Sequence, residues 1–391
     1  MRFTVFILFF ASITLSRAQN NLQTFQEQAL FENGQWGYAC FRIPAIVTAP
    51  NGELLAFAEG RKKNCWDFGD VDLVLRRSKD NGLSWSLLEL VIDYDTLQAG
   101  NPAPVFDLTD PKYPNGRLFL LYNSGNNHEG EVRKGRGVRE VWYVTSTDNG
   151  KTWSSPTNIT LSVHKPLQTE FNTTYNFPED WRSYALTPGH AIQLQQEPYT
   201  GRLFIPANHS EGDPLDGFDE YRAHAFYTDD HGKTWELSES VSVESSNESI
   251  AVELPDGTIM QNIRHQSGRK KQRLIALSKD GGASWDTTYF DAQLPSPVCQ
   301  ASIMAYKNPN DEVALLFSNP NSTERREKMT IKVSFDNGET WPISRPIRAG
   351  ASAYSDLATL QNKQIGLLYE RGNDGGIHFA TFSWAWLVGD Q

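Results

Sequence analysis

Four arginines, three carboxylates and one tyrosine of this 391-residue chain stand at matching distances from recurring turn-like residues. Arg42 lies nine residues before Asn51 and Arg61 ten after it. Glu248 and Arg264 lie eight to either side of Asp256, and Tyr354 and Glu370 eight to either side of Asn362. Arg326 precedes Ser334 by eight, and Asp67 falls in the segment just after Arg61. If each landmark is the lower tip of a strand pair, these side chains meet at the opposite end, because strands advance about 3.3 Å per residue. Any one of them could be an ordinary loop charge, but a set obeying one spacing reads as a site. Arginines gathered at one mouth suit a small anion held by planar, bidentate hydrogen bonds.

The elements that would position them announce themselves as repeats. The phrase Ser78-Lys79-Asp80-Asn81-Gly82-Leu83-Ser84-Trp85 returns with small changes at 146–153, 228–235, 278–285 and 334–341. In such a phrase Asp can accept from nearby backbone N–H groups, Gly can take a positive φ, and Trp can fold back as an apolar plug. These aspartates are therefore read as structural. A second signal is a turn-like pair followed by an apolar run, at Asn51-Gly52, Asn115-Gly116, Thr200-Gly201, Asp256-Gly257, Asn310-Asp311 and Asn362-Lys363. The six units are spaced by 64, 85, 56, 54 and 52 residues, and no long stretch has helical periodicity. An all-β fold, a six-bladed β-propeller of four-stranded blades, accounts for this economically. The sixth unit lacks the Trp phrase, as expected if the amino-terminal segment supplies its outer strand and closes the ring.

Composition agrees: 12% aromatic residues with 29 Gly and 20 Pro favour strands broken by turns. The net charge of −11, from 36 basic and 47 acidic residues, argues against a nucleic-acid partner. Residues 1–18 read as a secretory signal peptide, with Arg2, an apolar stretch from Phe3 to Leu15, and Ser16-Arg17-Ala18 before the cut. Residues 19–391 would then be the propeller domain, without an integral membrane segment. Sequons begin at Asn158, Asn172, Asn208, Asn247 and Asn321. Cys40 and Cys65 are read either as a bridge in an oxidising compartment or as two buried thiols, and Cys299 has no evident partner. No His-Glu-X-X-His, Cys-X-X-Cys, P-loop or dinucleotide fingerprint is present, so neither a metal nor an organic cofactor is expected. The basic run Gly268–Arg273 reads as a solvated loop.

Phe41-Arg42-Ile43-Pro44 resembles the Phe/Tyr-Arg-Ile-Pro motif of the exo-α-sialidases (neuraminidases), and the five Trp phrases resemble that family's Asp boxes. Leu55–Arg61, Asp67–Asp70, Gly100–Pro104, Glu253–Gly257, Phe317–Pro320, Tyr354–Ala358 and Leu368–Glu370 are similar in kind. The resemblance implies that Arg42, Arg264 and Arg326 grip the sugar's carboxylate, with Arg325 as the alternative one residue away. It implies that Glu370 holds Arg42, that Arg61 lines the pocket, and that Asp67, with Asp70 as a second candidate, is the acid/base. Tyr354 and Glu248 would be the nucleophilic pair, so the sequon at Asn247 is expected to carry no glycan.

These residue types suit the implied substrate. A sialic acid carries its carboxylate on the anomeric carbon, so a carboxylate nucleophile would meet like charge at short range. A tyrosine avoids that clash, which is why sialidases stand outside the usual two-carboxylate scheme. A phenol with an ordinary pKa near 10 needs a base, the role Glu248 would fill. The implied activity is retaining hydrolysis of terminal α-linked sialic acids from glycoproteins, gangliosides and oligosaccharides, by a secreted or lysosomal protein. A trans-sialidase and a non-catalytic glycan-binding propeller are the alternatives.

Overall fold

The computed structural model describes residues 24–372 and 375–389; the expected signal peptide lies outside them. Among these residues the strands form six blades around a central axis. The first contains Cys40–Thr48, Leu54–Arg61, Val71–Ser78 and Glu89–Ile92, and the second Gln98–Asp107, Arg117–Gly125, Arg139–Ser146 and Thr157–Asn158. A single parallel pair, Val71 with Gln98, joins these two into one sheet. The third is built on Trp181–Leu186, Leu203–Glu211, Tyr221–Thr228 and Glu236–Leu237, with Ile192–Gln193 beside it. The fourth has Ser246–Glu253, Ile259–His265, Gln272–Ser278 and Thr287–Pro295. The fifth has Ser302–Lys307, Val313–Pro320, Glu327–Ser334 and Ile343–Ala351. The last orders Ser355–Thr359, Ile365–Glu370 and Ile377–Phe382 before Phe25–Phe31, an outer strand taken from the other end of the chain. Ring closure by the amino-terminal segment is thus as expected.

The Trp phrases are lower-rim turns whose polar groups satisfy one another. In the first, Ser78 Oγ accepts from Gly82 N at 2.8 Å and donates to Asp80 Oδ1 at 2.8 Å, and the Asp80 carboxylate accepts from Ser84 N at 2.9 Å. The same pattern recurs around Asp148, Asp230, Asp280 and Asp336. The tryptophans reach backwards to the preceding blade. Trp85 meets Phe379 with ring centroids 5.1 Å apart, and Trp153 and Trp235 meet Phe57 and Phe119, each at 6.3 Å. Gly82 has a φ of +85°, and a Cβ there would run into the Phe379 ring. Gly is therefore demanded twice over, by backbone conformation and by the close approach of the preceding blade.

Between blades the facing strands bury apolar side chains, as where Ala103, Phe119 and Leu121 pack against Leu203, Ile205 and Phe226. At the axis the fully buried Asp356 carboxylate accepts from Ile46 N at 2.8 Å, His190 Nδ1 at 2.7 Å and Ser302 Oγ at 2.9 Å. One side chain thereby ties together the first, third, fifth and sixth blades. It lies two residues beyond Tyr354 and fixes the floor on which that tyrosine stands. Cys40 and Cys65 form a disulfide, so of the two readings the bridge is the one realised. Cys299 is free and buried.

The basic run needs a correction. Arg269, Lys270 and Lys271 are exposed, but Arg273 is fully buried in the strand Gln272–Ser278. Its guanidinium donates to Asn262 Oδ1 at 2.6 Å and to the Cys299 carbonyl at 2.5 Å, which replaces the water a solvated arginine would need.

Candidate active site

The inner strands of a propeller all present one end to the same axial opening, and the spaced residues meet there. Arg42, Arg61, Asp67, Glu248, Arg264, Arg326 and Tyr354 line one basin. Arg42 is presented where its strand bulges, between Arg42 and Ala45, with Ile43 at a φ of 58°. Glu370 stands behind the basin wall, nearly fully buried, and accepts from Arg42 Nε at 3.0 Å and Nη2 at 3.1 Å. The same carboxylate accepts from Ile43 N at 2.9 Å and Tyr354 N at 3.2 Å, so it sets the positions of three residues at once. Burial alone would lower the Arg42 pKa, but Glu370, Tyr354 and Asp67 together outweigh it and keep the guanidinium charged.

Tyr354 donates its hydroxyl proton to Glu248 Oε1 at 2.5 Å and accepts from Arg264 Nη1 at 3.0 Å. Arg264 Nη1 also reaches Glu248 Oε2 at 2.6 Å. Burial and the Glu248 charge push the phenol well above its ordinary pKa, against the pull of Arg264, Arg326 and Arg42. Tyr354 is therefore a neutral phenol already hydrogen-bonded to a base. Arg42 and Arg326 lie over its ring, 5.1 and 5.5 Å from the centroid. Arg326 donates to the Val298 carbonyl at 2.9 Å and lines the basin, whereas Arg325 is exposed to solvent; of the two, Arg326 is the basin residue.

Asp67 lies across the basin on the loop after Leu54–Arg61, its side chain 68% exposed. Its Oδ1 accepts from Arg61 Nη1 at 2.8 Å and from Arg42 Nη1 at 3.3 Å. Partial enclosure pushes this carboxyl up, but Arg61 and Arg42 pull it further down, leaving it below the usual aspartate value. Asp70 instead pairs with Lys62 at 3.3 Å, outside the basin lining, so of the two candidates Asp67 is the one that reaches the basin. The bridge from Cys65 to Cys40 ties the Asp67 loop to the strand that carries Arg42.

Several basin residues escaped the sequence reading. Glu59 accepts from Arg61 at 2.7 Å and from Asn101 N at 3.0 Å, bracing the arginine that holds Asp67. Asn101 lies in Gly100–Pro104, a segment singled out above without an assigned role. Asn123 and Asn208 also line the wall, and each stands eight residues after its turn landmark, Asn115 and Thr200. Extending the spacing rule from charged residues to amides would have found both. Asn208 and Asn247 each begin a sequon and are buried in this wall, while Asn158 and Asn172 are exposed. Tyr184 also lines the wall, and behind it His224 Nε2 stands 3.1 Å from Tyr184 Oη, with His224 and His209 3.0 Å apart; burial holds both imidazoles neutral.

Among the described residues Asp107, Asp110 and His231 come close enough to share one metal ion. Arg117 already stands 3.6 Å from Asp107 and 3.3 Å from Asp110, so a guanidinium supplies the positive charge there. No described helix is long and apolar enough to cross a membrane.

The description BNR repeat-like domain matches residues 52–369. A sialidase of Micromonospora viridifaciens is 34% identical over 93% of this chain and 55% of its own length, and one of Bacteroides fragilis is 28% identical over 92% and 66%. The chain thus spans about half to two thirds of these first two curated relatives. It covers 95% of Sialidase-2 of Cricetulus griseus, at 28% identity. Among solved structures, the Hadza microbial sialidase Hz136 superposes with a TM-score of 0.77 at 25% identity, covering 93% of this chain and 69% of that one. A leech intramolecular trans-sialidase shares the fold, with a TM-score of 0.74 at 19% identity over 94% of this chain and 71% of its own.

Proposed function

The chain belongs to the BNR-repeat family, and from that premise we propose that it is an exo-α-sialidase, hydrolysing terminal α-linked sialic acids with retention. The observation that carries this reading is the Tyr354 hydroxyl donating to Glu248 at 2.5 Å inside a cluster of arginines. A nucleophile that is neutral until attack suits an anomeric carbon bearing a carboxylate.

In the proposed cycle Arg42, Arg264 and Arg326 hold the substrate carboxylate and orient the ring, with Glu370 fixing Arg42. Glu248 takes the phenol proton as Tyr354 attacks the anomeric carbon, and Asp67 protonates the departing glycoside oxygen. Asp67 then takes a proton from water as that water displaces Tyr354, and the phenolate recovers its proton from Glu248. Two inversions leave the configuration unchanged. Positive character on the sugar ring develops beside Glu248 and the substrate's own carboxylate, while the arginines offset the accumulated negative charge.

The substrates are sialylated glycoproteins, gangliosides and oligosaccharides. Residues 1–18 act as a signal peptide and 19–391 form the propeller domain, which is secreted or lysosomal; the Cys40–Cys65 bridge supports passage through an oxidising compartment. With Asn208 and Asn247 in the basin wall, glycans go to Asn158 and Asn172. The test is hydrolysis of a fluorogenic sialoside, with the anomer first released identified by NMR. Release of the α-anomer supports the cycle; no turnover overturns it, and the β-anomer as first product removes the tyrosyl intermediate.

A further inference from the structure

The proposed acid, Asp67, stands where the glycosidic bond breaks, so the sugar that leaves must pass the loop that carries it. Beside Asp67 is Trp66, a residue 74% exposed; no described Trp, Tyr or Phe is barer. Among the described residues its indole stacks on no other ring and fills no core cluster. Its backbone is pinned on both sides. Cys65 is bridged to Cys40, and its carbonyl accepts from Arg61 at 2.7 Å; Trp66 N donates to Asn64 Oδ1 at 2.9 Å; Asp67 is held by Arg61 and Arg42. A bare indole on a fixed backbone offers apolar area at little entropic cost on binding. Neighbouring Cα atoms are about 3.8 Å apart, so the ring is rooted on the same loop, one residue from the proposed acid. The basin itself is walled by arginine, carboxylate and amide groups, suited to the acidic sugar and not to a neutral one.

We propose that Trp66 is the platform for the leaving-group sugar, stacking on the C–H face of a neutral pyranose and so determining which sialosides are preferred. This rests on the sialidase reading. It predicts that Trp66 governs the part of the substrate beyond the glycosidic oxygen and nothing on the sialic acid side.

The experiment compares kcat/KM for sialyllactose with that for methyl α-sialoside, which has no leaving sugar, in the full-length protein and in its Trp66→Ala and Trp66→Phe variants. Trp66→Ala is expected to lower the sialyllactose-to-methyl ratio about tenfold, mainly through KM, with Trp66→Phe between the two. Inhibition by free sialic acid should stay as in the parent. An unchanged ratio overturns the proposal, and so does an equal fall for both substrates, which would mean that Trp66 merely holds the loop. A parent protein that cleaves neither substrate overturns the sialidase reading itself, a result distinguishable from either.

Discussion

Asp148 at the lower rim and Asp67 in the basin are one residue type in opposite situations. Asp148 is served by its own neighbours: Thr152 N at 2.9 Å, Thr152 Oγ1 at 2.7 Å and Ser146 Oγ at 2.7 Å. Burial is the largest single influence and pushes its carboxyl up, but the donors together outweigh it and hold the pKa at about 2. Asp67 is held by guanidinium groups, one of them 25 positions away, and much of its side chain faces the opening. The first arrangement is closed and has nothing left to bind. The second is a charge balance that an incoming anion can disturb, and that separates an aspartate that shapes the fold from one that can do chemistry.

The sharpest way to break the contrast is at the proposed nucleophile. Tyr354→Phe should leave substrate binding in place and lower kcat by about a thousandfold or more, read by turnover and by equilibrium binding of the free sugar acid. Near-normal turnover would remove Tyr354 from the mechanism. Glu370→Gln should come next. The Arg42 guanidinium loses its buried ionic partner, and KM should rise about tenfold while kcat falls less. Asp148→Ala should do the reverse of both: kcat and KM unchanged, and folding weakened by about 1–3 kcal/mol in denaturant titration, as donors lose their acceptor. If instead Asp148→Ala slows turnover while stability holds, the division between rim and basin is wrong.

The smallest effect is on pH dependence, and substrate should change it in only one of the two regions. Asp148 has a folded pKa below its ordinary 3.8, so its stabilising contribution is full above that value and is lost as pH falls towards about 2. Asp67 is also depressed, by Arg61 and Arg42, in the ligand-free protein. A substrate carboxylate that takes over Arg42 cancels part of that field, so the Asp67 pKa rises on binding. Since an acid must be protonated to act, the alkaline limb of kcat should lie higher than that of kcat/KM, by about half to one pH unit. Coincident limbs would show that Asp67 does not sense the bound anion.

The same division explains what could be read in the sequence. An Asp box closes its hydrogen bonds within five residues, so its aspartate and glycine can be assigned from one short phrase. The turn spacing carried the reading further, to Arg42, Arg264, Tyr354 and Glu370, because strand rise converts sequence distance into height on the propeller. It did not reveal that Glu370 grips Arg42 from 328 positions away, since that depends on which blades meet across the axis. Glu59 was hidden because a carboxylate in an apolar run looks like a strand residue until its arginine is seen. Arg273 misled for the opposite reason, as a buried cation in a run of exposed ones.

The outer strand of the last blade, Phe25–Phe31, pairs with Ile377–Phe382, so the earliest strand made waits for one of the last. At ordinary ribosome speeds of roughly 5–20 residues per second, that wait is on the order of tens of seconds, with the segment's backbone donors and acceptors unengaged. A waiting strand of this kind invites pairing with other nascent copies. Its sequence, Phe-Gln-Glu-Gln-Ala-Leu-Phe, puts three polar residues, Gln26, Glu27 and Gln28, between its apolar ends. In the finished ring Glu27 accepts from Tyr369 Oη at 2.5 Å and pairs with His378 at 3.3 Å, and Gln28 donates to the Gly82 carbonyl at 2.5 Å, while Gln26 stays exposed. During synthesis they would discourage sticking until the partner emerges, so the latch that completes the molecule carries its own protection against premature use.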